Sequence, residues 1–149
     1  MLTDADLSAP IKESDKLVRA LEEGCDVAIG SRAVRAQDCD VEQSFHRWFA
    51  GRVFNQIIQF VILRGLHDTQ CGFKAFHREA AQKLFTLQRE DGFSFDVEVL
   101  YLARRLGMKI REVPVMWREA KQSHVRLVQD SIAMLKSVYG IKKRKYVIS

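Results

Sequence analysis

Two carboxylates one residue apart, Asp4 and Asp6, stand in the run Met1-Leu2-Thr3-Asp4-Ala5-Asp6-Leu7-Ser8-Ala9-Pro10 and offer this chain its plainest chemistry. In an extended segment, side chains two apart project to the same side, so both can present oxygens to one cation. Hard oxygen donors select Mg2+ or Mn2+, ions that keep positions open for phosphate oxygens and neutralise charge on a leaving group. The spacing alone is not selective, since chance supplies an Asp-x-Asp about once in every one or two chains of this length. Asp38-Cys39-Asp40 is a second copy, set in a polar stretch with no apolar strand before it, and reads as a solvated loop.

The elements that must position such residues alternate along the chain. Pro10 suits a first helical turn, and Ile11, Leu17, Val18 and Leu21 recur at helical spacing until Gly24 stops the run. Asp26 to Arg32 reads as a short apolar strand ending in a turn, with a polar loop after it as far as Gln43. Phe45, Phe49, Val53, Ile57, Phe60 and Val61 then step by three and four, predicting a long amphipathic helix from Ser44 to Arg64, closed by Gly65.

Gly72 to Phe76 reads as a strand, a short helix follows through Leu84 and Phe85, and Asp91-Gly92 marks a turn. A further helix runs from Phe95 to Leu106, where Gly107 can terminate it in a left-handed conformation. Lys109 to Trp117 alternates as a strand whose Pro114 fits an edge or a bulge. Val125, Val128, Ile132, Leu135 and Tyr139 form the apolar stripe of a last helix, with Arg126, Asp130 and Lys136 outside it. The alternation predicts an α/β layered domain.

Composition narrows the function classes. At 149 residues and 47% hydrophobic content the chain fits one globular domain with a buried core. Cys25, Cys39 and Cys71 are odd in number and contain no Cys-x-x-Cys pair, which argues against a disulfide framework or a zinc site and points to a reducing compartment. The most apolar run, Ile57 to Leu63, is short and interrupted by Gln59, so it is no membrane span, and no secretory signal is visible. His46, His67, His77 and His124 have no ligand spacing. The net charge of +5, concentrated in Lys142-Lys143-Arg144-Lys145, calls for an acidic partner. An anionic membrane surface, a phosphorylated substrate and nucleic acid all fit that charge, and the nucleic-acid reading is the weakest because no zinc finger, aromatic RNA platform or helix-turn-helix accompanies it. Taken alone, those four basic residues read as a solvated tail.

Four signatures follow one another: Asp4-Ala5-Asp6, Gly30-Ser31-Arg32, Asp68-Thr69-Gln70-Cys71-Gly72-Phe73-Lys74 and Phe95-Asp96-Val97-Glu98. Arg47-x-x-x-Gly51-Arg52-x-Phe54-Asn55 and Glu112-Val113-Pro114-Val115-x-Trp117 accompany them. In order and spacing this set resembles the family 2 glycosyltransferases of the GT-A fold, and most of all the branch that moves a sugar from a nucleotide sugar onto a polyprenyl or dolichyl phosphate.

The resemblance implies a role for each matched residue. Asp4 and Asp6 would bind the donor diphosphate through Mg2+ or Mn2+, and Asp68, Gln70 and Gly72 would line the donor sugar site, with Cys71 a small packed residue. Arg32, Arg47, Arg118 and Ser123 would hold the acceptor phosphate, a task for which the guanidinium fork is suited. Gly51 lies one helical turn from Arg47, where a missing side chain leaves room for that phosphate. Asp96 and Glu98 resemble the acidic position that acts as base in family members using hydroxyl acceptors. A lipid phosphate is already anionic, so positioning and charge neutralisation would carry most of the catalysis and Asp96 would orient groups. Read from residue types alone, Asp68 can instead cap a turn after Gly65, Asp96 can cap a helix start, and each arginine can be a surface ion pair.

On this reading the fold is α/β, the C-terminal portion of a GT-A domain with an incomplete mixed sheet flanked by helices. It spans 1–140, with a basic tail at 141–149. The function implied is metal-dependent, inverting transfer of glucose or mannose to the lipid phosphate, at the cytoplasmic face of a membrane. The family places a nucleotide-binding βαβ half before its Asp-x-Asp, and only Met1 to Thr3 precede it here. The alternative is therefore a truncated or non-catalytic module that needs a separate N-terminal half or a membrane subunit. Two local departures accompany this: Ser8 stands where some mannosyl relatives place Gln, and Ser123-His124 stands where Ser-Lys is usual.

Overall fold

The computed structural model of the chain describes residues 1–3, 8–31, 62–92, 94–116 and 127–147, with the backbone alone at 127–132. A single 3-10 turn, Ile11–Glu13, leads into α1 (Ser14–Glu22). The chain continues through β1 (Val27–Ser31), β2 (Lys74–Phe76), α2 (Arg78–Leu87), α3 (Phe95–Arg105), β3 (Ile110–Pro114) and α4 (Leu127–Lys143). The strands form one mixed sheet in the order β2-β1-β3, with β2 antiparallel and β3 parallel to β1. Beyond β2, Leu2 makes a single antiparallel bridge to Lys74. The long helix expected from Ser44 lies outside the described residues up to 61.

β1 is central, and all five of its residues are buried, as a strand covered on both faces must be. Val27 and Ile29 join one core with Leu84, Val97, Leu100 and Val138, supplied by α2, α3 and α4. Ala28 faces a second core with Leu17, Ala20, Phe73 and Val113, beneath α1. Period-two alternation thus sorts one strand onto two helical layers. Burying each of Val27 and Ile29 contributes about 1.5–3 kcal/mol. Pro114 sits on the outer strand of this order, and Val115 N–H bonds the Ser31 carbonyl, so the ladder to β1 loses nothing at the proline. Gly24 and Gly107, both at positive φ, end α1 and α3 as expected.

Three expectations shift in register. In the first helix Leu17 and Ala20 are buried, whereas Val18 is exposed, as is Ile11, which the 3-10 turn offsets from the stripe of α1. Among the described side chains of α4 the buried ones are Met134, Val138 and Ile141, one residue round from the stripe read through Leu135 and Tyr139; Leu135 is half-buried. Tyr139 is 58% exposed, with the Lys143 ammonium 4.5 Å from its ring centroid. Residues 141–146, set apart above as a tail, pack into the fold: Ile141 and Tyr146 are buried and Arg144 is ion-paired.

Gly30 sits where the sheet leaves no room for a side chain. A Cβ there would lie 3.0 Å from Val115 Cγ2, 3.2 Å from Cys71 Sγ and 3.2 Å from the Phe73 carbonyl oxygen. Gly30→Ala is expected to lower the unfolding free energy by about 1–3 kcal/mol through overpacking, read as an earlier urea midpoint at unchanged slope.

Candidate active site at the carboxyl edge of the sheet

The direction of the strands decides where the candidate residues gather. β1 and β3 are parallel, and the segment at Leu2 runs the same way, since it is antiparallel to β2 and β2 is antiparallel to β1. All three therefore leave the sheet at one edge. Thr3 leads there to Asp4 and Asp6, Ser31 to Arg32, and Met116 towards Arg118. β2 begins at that edge with Lys74, so Asp68 to Phe73 arrives at the same place. The carboxyl ends of parallel strands are where open α/β sheets bind ligands. Asp4, Asp6, Arg32, Arg47, Gly51, Arg118 and Ser123 themselves lie outside the described residues.

The loop from His67 to Phe73 is fixed at both ends. At its start the Glu112 carboxylate of β3 accepts the backbone N–H groups of His67 (2.9 Å) and Asp68 (2.8 Å), and its second oxygen meets His67 Nδ1 at 2.8 Å. At its end Gly30 N–H bonds the Phe73 carbonyl at 2.8 Å. Between these points Asp68 and Thr69 are buried, and Cys71 is a fully buried packed residue, as expected. The Gln70 amide lies 2.7 Å from Met134 Sδ, bringing the loop against α4.

Lys74 joins this loop to α3. Its side chain is completely buried, and Nζ donates to Asp96 Oδ1 at 2.6 Å and to the Cys71 carbonyl. Asp96 is thus the counter-ion of a buried lysine through Oδ1, and its side chain stays partly exposed. No side-chain hydrogen bond caps the start of α3. Neither Lys74 nor Glu112 was singled out from the sequence. Both stand within the quoted motifs, Lys74 closing the Asp68 run and Glu112 opening Glu112-Val113-Pro114, and a charged residue inside an apolar strand was the available signal.

Glu98, two residues beyond Asp96, is also sealed from solvent. It accepts the Tyr146 hydroxyl at 2.6 Å, Arg144 at 2.9 Å and the N–H groups of Arg89 (2.8 Å) and Glu90 (2.7 Å). Burial pushes its carboxyl up, but these hydrogen bonds and the Arg144 charge outweigh burial and hold it below the ordinary value. Burial and the adjacent carboxylate push the Tyr146 phenol up. Every bond of Glu98 is to the protein, so it anchors the C-terminal segment instead of acting as a base.

The two carboxylates expected to bind metal fall outside the described residues, and among the described residues no group of three or more His, Cys, Asp or Glu side chains can hold an ion. As a donor set, Asp4 and Asp6 suit a hard divalent cation, and the Leu2 bridge brings the chain to the loop-lined edge just before them.

A mixed sheet covered by helices on both faces, with a loop held at its carboxyl edge, defines an α/β domain. The family model for Glycosyl transferase family 2 matches residues 1–85, and the chain belongs to this family. Dolichyl-phosphate beta-glucosyltransferase of Drosophila melanogaster is 38% identical over 153 residues, covering 99% of this chain and 47% of that protein. The proteins of the same name from Saccharomyces cerevisiae and Homo sapiens are 34% and 31% identical, covering 95% and 97% of this chain and 46% of each relative. The chain spans about half the length of the curated relatives it matches.

The Glu98 cluster makes acid stability testable. A carboxyl held below its unfolded value of about 4.3 contributes stability above that pH and loses it as pH falls through the lower folded value. Urea unfolding across about pH 6 to 3 should show this loss. Glu98→Gln should flatten that limb and lower stability at neutral pH by about 1–3 kcal/mol, as charge-assisted bonds are lost. A limb of unchanged steepness in the variant would assign it to other carboxylates.

Proposed function

We propose that the complete protein transfers glucose from a nucleotide sugar to dolichyl phosphate or a related polyprenyl phosphate, with inversion and with Mg2+ or Mn2+ as cofactor. The observation that carries this reading is the convergence of the segments leading to Asp4, Arg32 and Arg118 on the edge where the Asp68 to Lys74 loop is braced. The names of the relatives favour glucose over mannose. The fold is then the C-terminal part of a GT-A domain, and the reading places the protein at the cytoplasmic face of a membrane.

Asp4 and Asp6 would hold the ion, which when bound supplies positive charge to the donor diphosphate. Asp68, Gln70 and Gly72 border the sugar, with backbone positions fixed by Glu112 and the Cys71 carbonyl held by Lys74. Arg32, Arg47 and Arg118, with Ser123, bind the acceptor phosphate and aim its oxygen, while Gly51 leaves space for it. The nucleophile is anionic before it binds, so no residue need take its proton. No helix among the described residues is long and apolar enough to cross a membrane. Exposed Lys136, Lys142 and Lys143 on α4, with Tyr139, offer charge and an aromatic ring to an anionic bilayer surface.

The test is transfer of labelled glucose to dolichyl phosphate by the complete protein. Arg47→Ala is expected to lower turnover by a factor equivalent to about 2–5 kcal/mol, with metal and nucleotide binding by calorimetry nearly intact. Unchanged acceptor affinity and turnover would remove Arg47 from the phosphate site.

A further inference from the structure

We infer that Lys74 is the positioning residue of this edge. Its buried ammonium holds the donor-side loop to the start of α3, and its backbone pairs with Leu2 in the segment leading to Asp4. The inference deepens the reading of the edge as a glycosyl-transfer site and rests on it for its catalytic consequence, but its structural content stands on the contacts of Lys74 alone.

Three connections meet at this residue. Its backbone N–H and carbonyl pair with Leu2 at 3.1 Å and 2.7 Å, fixing the segment that enters Asp4. Its Nζ donates to the Cys71 carbonyl, three residues back in the loop. The same nitrogen meets Asp96 at 2.6 Å in the first turn of α3. A fully buried ammonium is tolerated only with such partners, since losing one leaves a charge without solvent. The backbone of Gly72 to Lys74 is thereby pinned between Leu2 on one side and Gly30 on the other.

The pair also has the asymmetry a positioning device needs. Lys74 has no solvent exposure, whereas the Asp96 side chain keeps 24%. Asp96 can be solvated if the lysine is removed, so loss of the ammonium should loosen the loop and the helix start without exposing the core. Misplacing substrate-holding groups by about 1 Å can cost on the order of 100-fold in rate.

The experiment compares Lys74→Met, Lys74→Arg and Asp96→Asn in the full chain by amide hydrogen exchange, and in the complete protein by kinetics. In Lys74→Met, exchange at 67–72 and 94–97 should quicken by about tenfold or more while 27–31 keeps its protection. Turnover at saturating donor should fall by about 10- to 100-fold with KM for dolichyl phosphate nearly unchanged. Lys74→Arg, which can donate to both acceptors, should restore most of both. Should Lys74→Met fail to fold, Asp96→Asn carries the test, with exchange at the same segments faster by about threefold or more. Wild-type exchange at 67–72 in Lys74→Met or, where that variant does not fold, in Asp96→Asn overturns the inference, as does full turnover in the same variant. Localised loosening in the variants, together with no glucose transfer by the wild-type protein, would uphold the positioning role and refute the proposed reaction instead.

Discussion

An ammonium group shut off from water must be met by acceptors, and at Lys74 that requirement organises the carboxyl edge of the sheet. One acceptor is a loop carbonyl and the other is a helix carboxylate, so satisfying a single charge fixes two segments that no regular ladder joins. The strand carrying the lysine is only three residues long, yet it is paired on both sides, by β1 and by Leu2. A short strand in that position transmits the geometry of the central sheet directly to the loop before it. The common direction of β1, β3 and Leu2 then brings the segments bearing the other candidate residues to the same edge.

Carboxylates perform the complementary task elsewhere, each holding main-chain N–H groups that no strand or helix satisfies. Glu112 holds His67 and Asp68, Glu98 holds Arg89 and Glu90, Asp26 holds Lys109, and Glu13 holds Met116 at 3.1 Å. Glu112 acts from the middle of β3, and Glu13 acts just beyond its carboxyl end, where Met116 leads towards Arg118. Asp26 acts at the opposite edge, where it joins the starts of β1 and β3. Glu98 acts in the layer formed by α3 and α4, where Arg144 and Tyr146 close over it. Irregular segments of a small domain are thus tied down by carboxylates at defined points, two of them, Glu13 and Glu98, buried.

Much of this was legible in the chain. β1, α2, α3 and β3 follow from apolar runs bounded by Gly24, Gly65, Gly92 and Gly107, because glycine punctuation and period-two burial are local signals. The register of the apolar stripes in α1 and α4 was less legible. Met134 competes with Leu135, and Val138 with Tyr139, and only the position of α3 decides which is buried. The buried partners of Lys74 and Glu98 were not legible either, since Cys71, Asp96, Arg144 and Tyr146 come together only through tertiary packing. Charge alone set Lys142 to Lys145 apart as a tail, while the apolar face of Tyr146 and the acidic neighbours of Arg144 draw that segment into the fold.

The assignment of the site to the carboxyl edge is tested most directly by paramagnetic broadening of amide resonances as Mn2+ is added to the labelled chain. Successive strand residues are about 3.3 Å apart, so β1 itself resolves one edge from the other. Broadening should be strongest at Leu2, Thr3, Ser31 and 68–72, and should fade along β1 towards Val27, leaving Asp26 and Lys109 sharp. Broadening centred on Asp26 and Lys109, or spread evenly over the strand, would place the ion elsewhere and overturn the assignment of Asp4 and Asp6.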